Sequence, residues 1–173
     1  MEHQIFYAVL LLLDLFVLLV VLSGAPYVPT SHATVDQMVK LALEKNPRTT
    51  ADIGAGDGRI VIALARKGIE AHGYEINPAL VWLARRNIRK AGLEGKAKIF
   101  LKDLWRVDFG SYDVVTVFGI TQIMQKLEQK LRRELRPGAR VVSHIFRFPN
   151  WECLKRNGEV HVYEKPISTD QAR

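Results

Sequence analysis

The chain has 173 residues, of which 48% are apolar and 25% are charged, which is sufficient for one globular domain with a hydrophobic core. Its formal net charge of +7 suits an anionic partner, either nucleic acid or the anionic face of a membrane, and does not choose between them. Cys153 is the only cysteine, which excludes an intrachain disulfide, and the scattered histidines predict no structural zinc site.

The segment Ile5–Leu22 is apolar except for Asp14 and predicts a transmembrane helix. As a helix it would be about 27 Å long, and its many aliphatic residues outweigh the cost of about 3 kcal/mol for one central Asp. Lys and Arg follow the segment and none precedes it, so we expect a single-pass membrane anchor with the domain on the cytoplasmic side. A cleaved signal peptide and a buried core helix are the alternatives.

The anchor would occupy residues 1–23, a linker with two prolines residues 24–32, and the globular domain residues 33–173. The domain is expected to open with a helix, because Thr34 and Gln37 form a capping-box pattern and Asn46-Pro47 follows as a stop. The apolar residues on the buried face of this helix are Val35, Met38, Val39 and Ala42.

Strands and helices alternate regularly through the rest of the domain. The predicted strands are Thr50–Ile53, Glu70–Glu75, Ala97–Leu101, Tyr112–Phe118 and Arg140–Phe146. The predicted helices are Arg59–Lys67, Pro78–Ala91 and Thr121–Leu135. Asn157-Gly158 predicts a closing hairpin between Trp151–Arg156 and Glu159–Lys165. Together these elements predict an α/β fold, a Rossmann-like, doubly wound sheet of seven strands that is mostly parallel with an antiparallel C-terminal hairpin.

The stretch Thr50–Arg59, with the sequence TADIGAGDGR, combines the end of a strand, three glycines and the start of a helix. Gly54, Gly56 and Gly58 permit a tight turn and a close approach of the backbone to a ligand. The amides of the first helical turn would then point toward the negative end of that ligand. For this stretch alone, a tight strand-to-helix turn without any ligand is the alternative.

Three acidic residues lie at the ends of the first three predicted strands. Asp52 and Glu75 end the first and second strands, and Asp103 follows the third. Because ligands of open parallel sheets bind at the carboxyl ends of the strands, Glu75 is placed to accept from the ribose hydroxyls of an adenosine cofactor. Asp103 would accept from the adenine amino group, with Leu104 and Trp105 packed on the ring. Each acid alone also fits a solvated strand end, whereas all three with the glycine turn predict a nucleoside cofactor.

The spacing G-x-G-x-G after Asp52, together with Glu75 and Asp103, resembles the motifs of the seven-β-strand (class I) S-adenosylmethionine-dependent methyltransferases. Among these, the chain resembles the compact protein lysine methyltransferases. That family includes an archaeal broad-specificity enzyme and the mitochondrial enzymes that methylate the ATP synthase C subunit and the adenine nucleotide translocase. The matching stretches are Pro26–Thr30, Asp52–Ala65, Gly73–Arg85, Asp103–Trp105, Val117–Met124 and Leu135–Phe146.

The resemblance implies an enzyme that uses S-adenosyl-L-methionine to methylate lysine side chains of a protein, which we expect to be membrane-associated. Residues that it places at the cofactor are Asp52, Gly54, Gly56, Glu75 and Asp103. The neighbouring residues that complete the predicted cofactor site are Ala55, Gly58, Asn77 and Leu104. Methyltransferases of nucleic acid bases carry an Asn/Asp-Pro-Pro-aromatic motif where this chain has Val117–Ile120, so no nucleic acid substrate is expected.

The aromatic residues Tyr27, Trp105 and Phe118 are candidates for a dry channel that admits the acceptor lysine in its neutral form. Each of them alone also fits a place in the core or against the adenine ring. His144, near the end of the fifth strand, is a candidate proton acceptor or a structural histidine. The sequence therefore assigns no catalytic base.

Two alternatives to lysine methylation stay open. One is a methyltransferase that acts on a membrane-embedded small molecule such as a quinone or lipid, and the other is a non-catalytic, membrane-tethered binding module. Two basic helix faces are expected to be solvated, and the alternatives are contact with anionic lipid headgroups and, third, a nucleic-acid groove. These faces consist of Arg85, Arg86, Arg89 and Lys90, and of Lys126, Lys130, Arg132, Arg133 and Arg136.

Overall fold

The computed structural model describes residues 4–7, 9–11, 14, 29–119 and 121–167. The helices are α1 (His32–Leu43), α2 (Arg59–Ala65), α3 (Pro78–Lys90) and α4 (Thr121–Glu134), with a 3-10 turn at Leu104–Arg106. The strands are β1 (Thr49–Ile53), β2 (Glu70–Glu75), β3 (Ala97–Leu101), β4 (Val114–Phe118), β5 (Arg140–His144), β6 (Lys155–Asn157) and β7 (Val160–Glu164). The predicted order of helices and strands is confirmed.

The seven strands form one sheet in the order β3-β2-β1-β4-β5-β7-β6. β1 pairs in parallel with both β2 and β4, whereas β7 is antiparallel to its neighbours β5 and β6. The order in which strands are added to the sheet reverses at β1, because β2 and β3 lie on one side of it and β4 and β5 lie on the other. The carboxyl ends of β1 and β4 therefore form the crevice in which open α/β sheets bind their ligands. This is the predicted Rossmann-like sheet with an antiparallel C-terminal edge.

Both faces of the sheet are buried. Successive residues of its central strands point to opposite sides and pack in two different hydrophobic clusters. On β4, Val114 packs in the cluster that includes α1, α2 and α3, whereas Val115 and Val117 pack in the cluster that includes α4. Val142 and Val141 on β5 divide between the two clusters in the same way. The resulting three layers hold β1 and β4 in the middle of the domain and fix the positions of their ends.

Helix α1 begins at His32, two residues before the predicted capping box. Ser31 is its N-cap and accepts a hydrogen bond from the Thr34 amide at 3.2 Å. The prediction that Thr34 and Gln37 form the cap is therefore wrong, and Gln37 instead donates to the Asn157 carbonyl in the C-terminal hairpin. The predicted buried face is confirmed, and its core residues are Val35, Met38, Val39 and Ala42.

The C-terminal hairpin turns at Asn157-Gly158 as predicted, but its first strand is shorter than predicted. β6 spans Lys155–Asn157, whereas Trp151 lies outside it and packs against Tyr163. The indole N–H of Trp151 donates to the Glu164 carbonyl at 3.1 Å. Burying this indole with its hydrogen bond satisfied is favourable, and the regular strand begins only at Lys155.

The predicted membrane helix over Ile5–Leu22 lies largely outside the described residues. Those residues of the segment that are described, at positions 5–7, 9–11 and 14, are helical and exposed. Leu11, for example, is 70% exposed. Within the part of the chain that the structure describes, no helix has both the length and the apolar composition that crossing a membrane requires.

Candidate functional site

The glycine turn connects β1 to α2 in the middle of the crevice. Gly54, Gly56 and Gly58 have φ values of 73°, 55° and 82°, a region that residues with a Cβ rarely adopt. The amides of Gly54 and Ala55 donate to the Tyr74 carbonyl at 2.9 and 3.1 Å, which fastens the turn to β2. The turn therefore brings its backbone to the crevice in a fixed conformation, as the glycine spacing predicted.

Gly73 on β2 allows this turn to pack directly on the sheet. A Cβ at this position would lie 2.5 Å from Ile99 Cδ1 and 2.6 Å from Ala55 Cβ, closer than two side chains can approach. A larger residue would displace Ala55 and with it the turn. The absence of a side chain at Gly73 is thus a structural requirement of the site, although Gly73 itself contacts no ligand position.

Glu75, the last residue of β2, makes the central polar contacts of the crevice and is 8% exposed. One carboxylate oxygen accepts from the Gly56 amide at 3.0 Å. The other accepts from the amides of Ile76 and Asn77 at 2.8 and 2.9 Å. Glu75 therefore ties the glycine turn to the beginning of α3, and it keeps a carboxylate at the end of β2, where the sequence predicted one.

Asp52 is the penultimate residue of β1, and its carboxyl group is buried. It accepts a hydrogen bond from Thr116 Oγ1 of β4 at 2.6 Å. Burial raises the pKa of Asp52 to about 7; the Thr116 hydrogen bond opposes this shift, and the charges of Glu75 and Asp57 add to it. The crevice thus contains a carboxyl group that is partly protonated at neutral pH and that a cationic ligand would ionise.

Replacing Asp52 with asparagine is expected to stabilise the fold at alkaline pH but not at acidic pH. The native protein keeps the Asp52 proton up to about pH 7, whereas the unfolded chain loses it with a pKa of 3.8. Stability of the wild type therefore falls as pH rises through this window, by at most about 4 kcal/mol. Melting curves of both proteins in mild detergent, from about pH 4 to about pH 8, measure the effect. A Tm difference that does not grow with pH would contradict the raised pKa.

An ion pair between Asp57 and Arg59 also lines the crevice. The Arg59 guanidinium contacts both carboxylate oxygens of Asp57, at 2.9 and 2.8 Å. It also donates to the Thr30 carbonyl, which holds the end of the linker against the start of α2. Pro29 and Thr30 consequently line the site. Pro26–Thr30 is one of the stretches that match the family, but the contact with Arg59 itself was not predicted.

These groups surround a cavity of about 410 Å³, a volume in the range of small-molecule sites. Six predicted cofactor residues line it: Asp52, Gly54, Ala55, Gly56, Glu75 and Leu104. The other three lie beside it as caps. Gly58 and Asn77 precede α2 and α3, and Asp103 accepts from the Trp105 amide at 3.0 Å to cap the 3-10 turn.

Apolar residues that were not predicted complete the lining. Ile76 directly follows Glu75, and Leu80 lies one helical turn later on α3. Their positions relative to Glu75 could therefore have predicted that they line the cavity. Ile123 comes from α4 and reaches the cavity through tertiary packing, which the sequence does not encode locally. The cavity therefore combines carboxylates at the strand ends with apolar walls from two helices.

One wall of the cavity is aromatic, with Phe118 at the end of β4 and Phe146 after β5, whose ring centroids are 6.0 Å apart. A strained turn positions Phe146. Ile145 has a φ of 66°, and the Phe146 amide donates to the His144 carbonyl at 2.8 Å, which closes a γ-turn of the rare positive-φ type. β5 therefore ends at His144 and not at Phe146 as predicted. Such strain at a β-branched residue is concentrated at functional sites.

Phe118 is the predicted channel residue that the structure places at the cavity. Trp105 packs instead against Lys126 of α4, whose ammonium lies 4.4 Å from the ring centroid, and Tyr27 lies outside the described residues. His144 packs against Phe118 with 5.3 Å between ring centroids. Burial lowers the pKa of His144, so its ring is neutral near pH 7, and its buried Nδ1 has no hydrogen-bond partner among the described residues.

The basic faces of α3 and α4 differ from the prediction at Lys130. This residue is 7% exposed, and its ammonium donates to the Val107 carbonyl and to the Glu134 carboxylate, both at 2.7 Å. Lys130 is therefore part of a buried ion pair and not of a solvated face. On α3 the predicted basic residues are all exposed: Arg85, Arg86, Arg89 and Lys90.

The strand order, the glycine turn after β1 and the acids at the ends of β1 and β2 define the Rossmann-like fold of the class I methyltransferases. A solved structure shares this fold with a TM-score of 0.76 and 36% sequence identity. It is an RNA methyltransferase from Salinibacter ruber in complex with S-adenosyl-L-homocysteine, and the match covers 84% of this chain and 100% of that chain.

The chain belongs to the family of the ANTKMT methyltransferase domain, whose model matches residues 52–155. The lysine N-methyltransferase of the ATP synthase C subunit from Homo sapiens is 47% identical over 134 residues, which cover 78% of this chain and 57% of that protein. A protein-lysine N-methyltransferase of Saccharolobus islandicus is 40% identical over 128 residues, or 73% of this chain and 80% of that protein. The chain thus spans a little over half the length of the human relative. The predicted family resemblance is confirmed.

Proposed function

We propose that this chain is a membrane-anchored protein-lysine methyltransferase that uses S-adenosyl-L-methionine. The observation that carries the proposal is that one cavity is lined both by the strand-end carboxyl groups and by the aromatic wall of Phe118 and Phe146. This combination offers a polar place for a charged cofactor next to an apolar place for an acceptor. The human and archaeal relatives, which are named as lysine methyltransferases, support the same class of reaction.

The charge of the cavity lining fits a cationic nucleoside cofactor. Asp52, Asp57 and Glu75 contribute three carboxyl groups, against one guanidinium from Arg59. The sulfonium and ammonium groups of S-adenosylmethionine would offset this excess and favour the ionised form of Asp52. Glu75 would accept from the ribose hydroxyls, because it ends the second strand of a doubly wound sheet. The apolar side chains suited to an adenine ring are those of Ile76, Leu80 and Leu104.

The protein side of the reaction consists of positioning and water exclusion. When bound, S-adenosylmethionine supplies an activated methyl group, whose transfer to an amine requires an in-line approach at close range. Phe118, Phe146 and Ile123 line an apolar wall that disfavours an ammonium ion, so a lysine that enters beside them gives up its proton to water. This chemistry needs no protein base, and His144, whose ring packs against Phe118, is not among the residues that line the cavity.

Lysine is favoured over the alternative acceptors by the composition of this wall. The stretch Val117–Gly119 offers no Asn, Asp or Pro, the residue types that base amino methyltransferases place after the fourth strand. A quinone or lipid would need more enclosing chain than the compact domain provides. A non-catalytic role is disfavoured because the glycine turn, Asp52 and Glu75 are all arranged around the cavity. RNA stays an alternative outcome of the test, since the Salinibacter ruber relative is named for it.

We also propose that Ile5–Leu22 anchors the chain in a membrane, with the domain on the cytoplasmic side. The support is the apolar sequence, the cations that follow it, and the exposure of its described side chains, such as Phe6 at 59%. An anchor would confine the enzyme and a membrane acceptor to one surface and raise their effective concentration. Carbonate washing of membranes should leave the chain in the pellet, and recovery in the supernatant would refute the anchor.

The reaction is tested by incubating the purified chain with labelled S-adenosylmethionine and a membrane fraction. We expect lysines of membrane-associated proteins to take up the label, and mass spectrometry should show them gaining methyl groups in steps. Removing residues 1–22 should lower methylation of the membrane acceptor far more than that of a soluble lysine-rich protein. Label that is found only in quinone, lipid or RNA would overturn the lysine assignment.

A further inference from the structure

The face formed by α3 and the edge strand β3, here called the α3/β3 face, concentrates the positive charge of the chain. Residues 78–102 contain seven Lys or Arg and one acid, Glu94 in the loop between the two elements, which gives this stretch a net charge of +6 out of the formal +7 of the chain. All seven cations are exposed: Arg85, Arg86, Arg89, Lys90, Lys96, Lys98 and Lys102. Such a concentration creates a strongly positive surface potential.

The same face exposes large apolar side chains. Trp82 on α3 is 61% exposed, and Leu101 at the end of β3 is 55% exposed. The two residues line one surface groove together with Pro78 and Val81. Large exposed apolar side chains that share one groove are a feature of interaction surfaces.

The arginines of the α3/β3 face frame these apolar groups. Arg85 and Arg89 line the groove, and the guanidinium of Arg86 lies 5.7 Å from the centroid of the Trp82 ring. Arg85 also donates to the Ile99 carbonyl of β3 at 3.0 and 2.8 Å, which occupies part of the edge of the sheet. Positively charged arginine side chains thus surround the exposed apolar side chain of Trp82.

We propose that the α3/β3 face rests on the surface of an anionic lipid bilayer. Tryptophan prefers the interface between headgroups and hydrocarbon, and the surrounding Arg and Lys match the negative surface potential of anionic lipids. A nucleic acid would engage the cations and could stack on Trp82. It would gain nothing from the exposed side chains of Leu101 and Pro78, whose burial is favourable only in an apolar medium. The aliphatic part of the groove therefore favours lipid.

This docking would bring the candidate cofactor cavity close to the membrane. Ile76, which is 58% exposed, lines the cavity, and Pro78, two residues later, lines the groove of the α3/β3 face. Pro29 and Thr30, which also line the cavity, belong to the segment that leads from the proposed anchor. Membrane docking is inferred from the charge and exposure of the α3/β3 face and does not depend on the proposed reaction. It adds to the proposed anchor an orientation of the domain relative to the membrane.

The test places a fluorescent probe on the face in the intact chain. In a Cys153→Ser background, Trp82→Cys is labelled with an environment-sensitive dye, and the chain is reconstituted into vesicles of phosphatidylcholine alone or mixed equally with phosphatidylglycerol. We expect a blue-shifted emission and quenching by spin-labelled lipid in the anionic vesicles, both lost at about 1 M salt, where the Debye length is about 3 Å. A probe at Arg133→Cys on α4, whose side chain is 72% exposed, should stay in water throughout.

Charge variants separate this surface from a general effect of net charge. Arg86→Gln with Arg89→Gln should lower the ratio of docked to undocked chain about 30-fold, at about 1 kcal/mol for each cation near an anionic surface. Arg66→Gln with Arg133→Gln removes the same charge from elsewhere and should change the ratio little. If the Trp82→Cys protein does not fold, a probe at Leu101→Cys replaces the probe at position 82.

The inference would be overturned if a probe at position 82 or 101 stayed in water on anionic vesicles. It would also be overturned if Arg66→Gln with Arg133→Gln undocked the domain as much as Arg86→Gln with Arg89→Gln does. A probe that responds to single-stranded RNA and not to lipid would be the third such result. Binding of S-adenosyl-L-homocysteine to the same samples is measured separately. It should be unchanged in all variants, so that a failure of the proposed enzymatic function is distinguishable from a failure of membrane docking.

Discussion

Replacing Glu75 with alanine is expected to weaken the binding of S-adenosyl-L-homocysteine by about 10-fold to 100-fold, because a charged hydrogen bond contributes about 1.5–3 kcal/mol and the carboxylate has one acceptor position left for the ribose beside its three backbone amides. The effect has a second source within the protein. The carboxylate holds the amides of Gly56, Ile76 and Asn77, so its removal also loosens the glycine turn and the beginning of α3. Calorimetric titration of the detergent-solubilised chain measures the affinity.

Two further variants serve as a chemical comparison and as a matched control. Glu75→Gln keeps the size of the side chain but turns an NH2 group toward backbone donors that need an acceptor, so we expect it to lose most of the affinity as well. Glu94→Ala removes an exposed glutamate from the loop before β3 and should bind as the wild type does. Wild-type affinity in a folded Glu75→Ala protein, as judged by circular dichroism, would show that the ligand binds elsewhere.

Replacing Phe146 with alanine is expected to slow methyl transfer to lysine by about 10-fold to 100-fold at saturating cofactor, because misplacement of the acceptor by about 1 Å has an effect of this size. The affinity for S-adenosyl-L-homocysteine should change little, since the carboxylates at the ends of β1 and β2 are untouched. Without the Phe146 ring, water reaches the wall of the cavity, so the pKa of the entering lysine is lowered less in the variant than in the wild type. The pH at which the rate is half-maximal should therefore be higher in the variant than in the wild type.

The controls for Phe146 test position and apolar character separately. Phe146→Leu keeps an apolar side chain on the same strained turn and should retain most of the rate. Phe100→Ala removes a half-exposed ring that stacks on Tyr74, away from the cavity lining, and should leave the pH profile unchanged. An unaltered rate and pH profile in Phe146→Ala would show that the acceptor does not pass the aromatic wall.

The parts of the site that could be predicted are those encoded by local sequence. Gly54, Gly56 and Gly58 require positive φ, and the acids at the ends of β1 and β2 follow directly from strand boundaries. Parallel pairing then brings Asp52 and Glu75 to the same crevice without any further information. The resemblance to a known family added the identity of the cofactor and the class of acceptor, which spacing alone does not determine.

The parts that could not be predicted depend on tertiary contacts. Phe146 reaches the cavity only because Ile145 takes up a positive φ, which its β-branched side chain disfavours in isolation. Thr30 lines the site because Arg59 binds its carbonyl from 29 positions away. Lys130 fits a solvated basic stripe by its spacing, yet its ammonium is buried against Val107 and Glu134. In each case a contact distant in sequence outweighs the local pattern.

The capping of α1 shows the same limit at short range. Both Ser31 and Thr34 are good N-cap residues, and the pattern with Gln37 favoured the second. Ser31 is the N-cap, and Gln37, the predicted return partner of a capping box at Thr34, donates to the Asn157 carbonyl of the hairpin. The side chain of Gln37 thus contacts a residue 120 positions away in the chain, which its place in a local capping pattern does not indicate.

The most direct test of the central claim is a crystal structure of the chain with S-adenosyl-L-homocysteine. We predict density for the ligand in the cavity at the ends of β1, β2 and β4, with its ribose at Glu75 and its sulfur facing the wall of Phe118 and Phe146. Density in any other place, or a sulfur that is separated from this wall by the body of the ligand, would contradict the assignment of one cavity to both cofactor and acceptor.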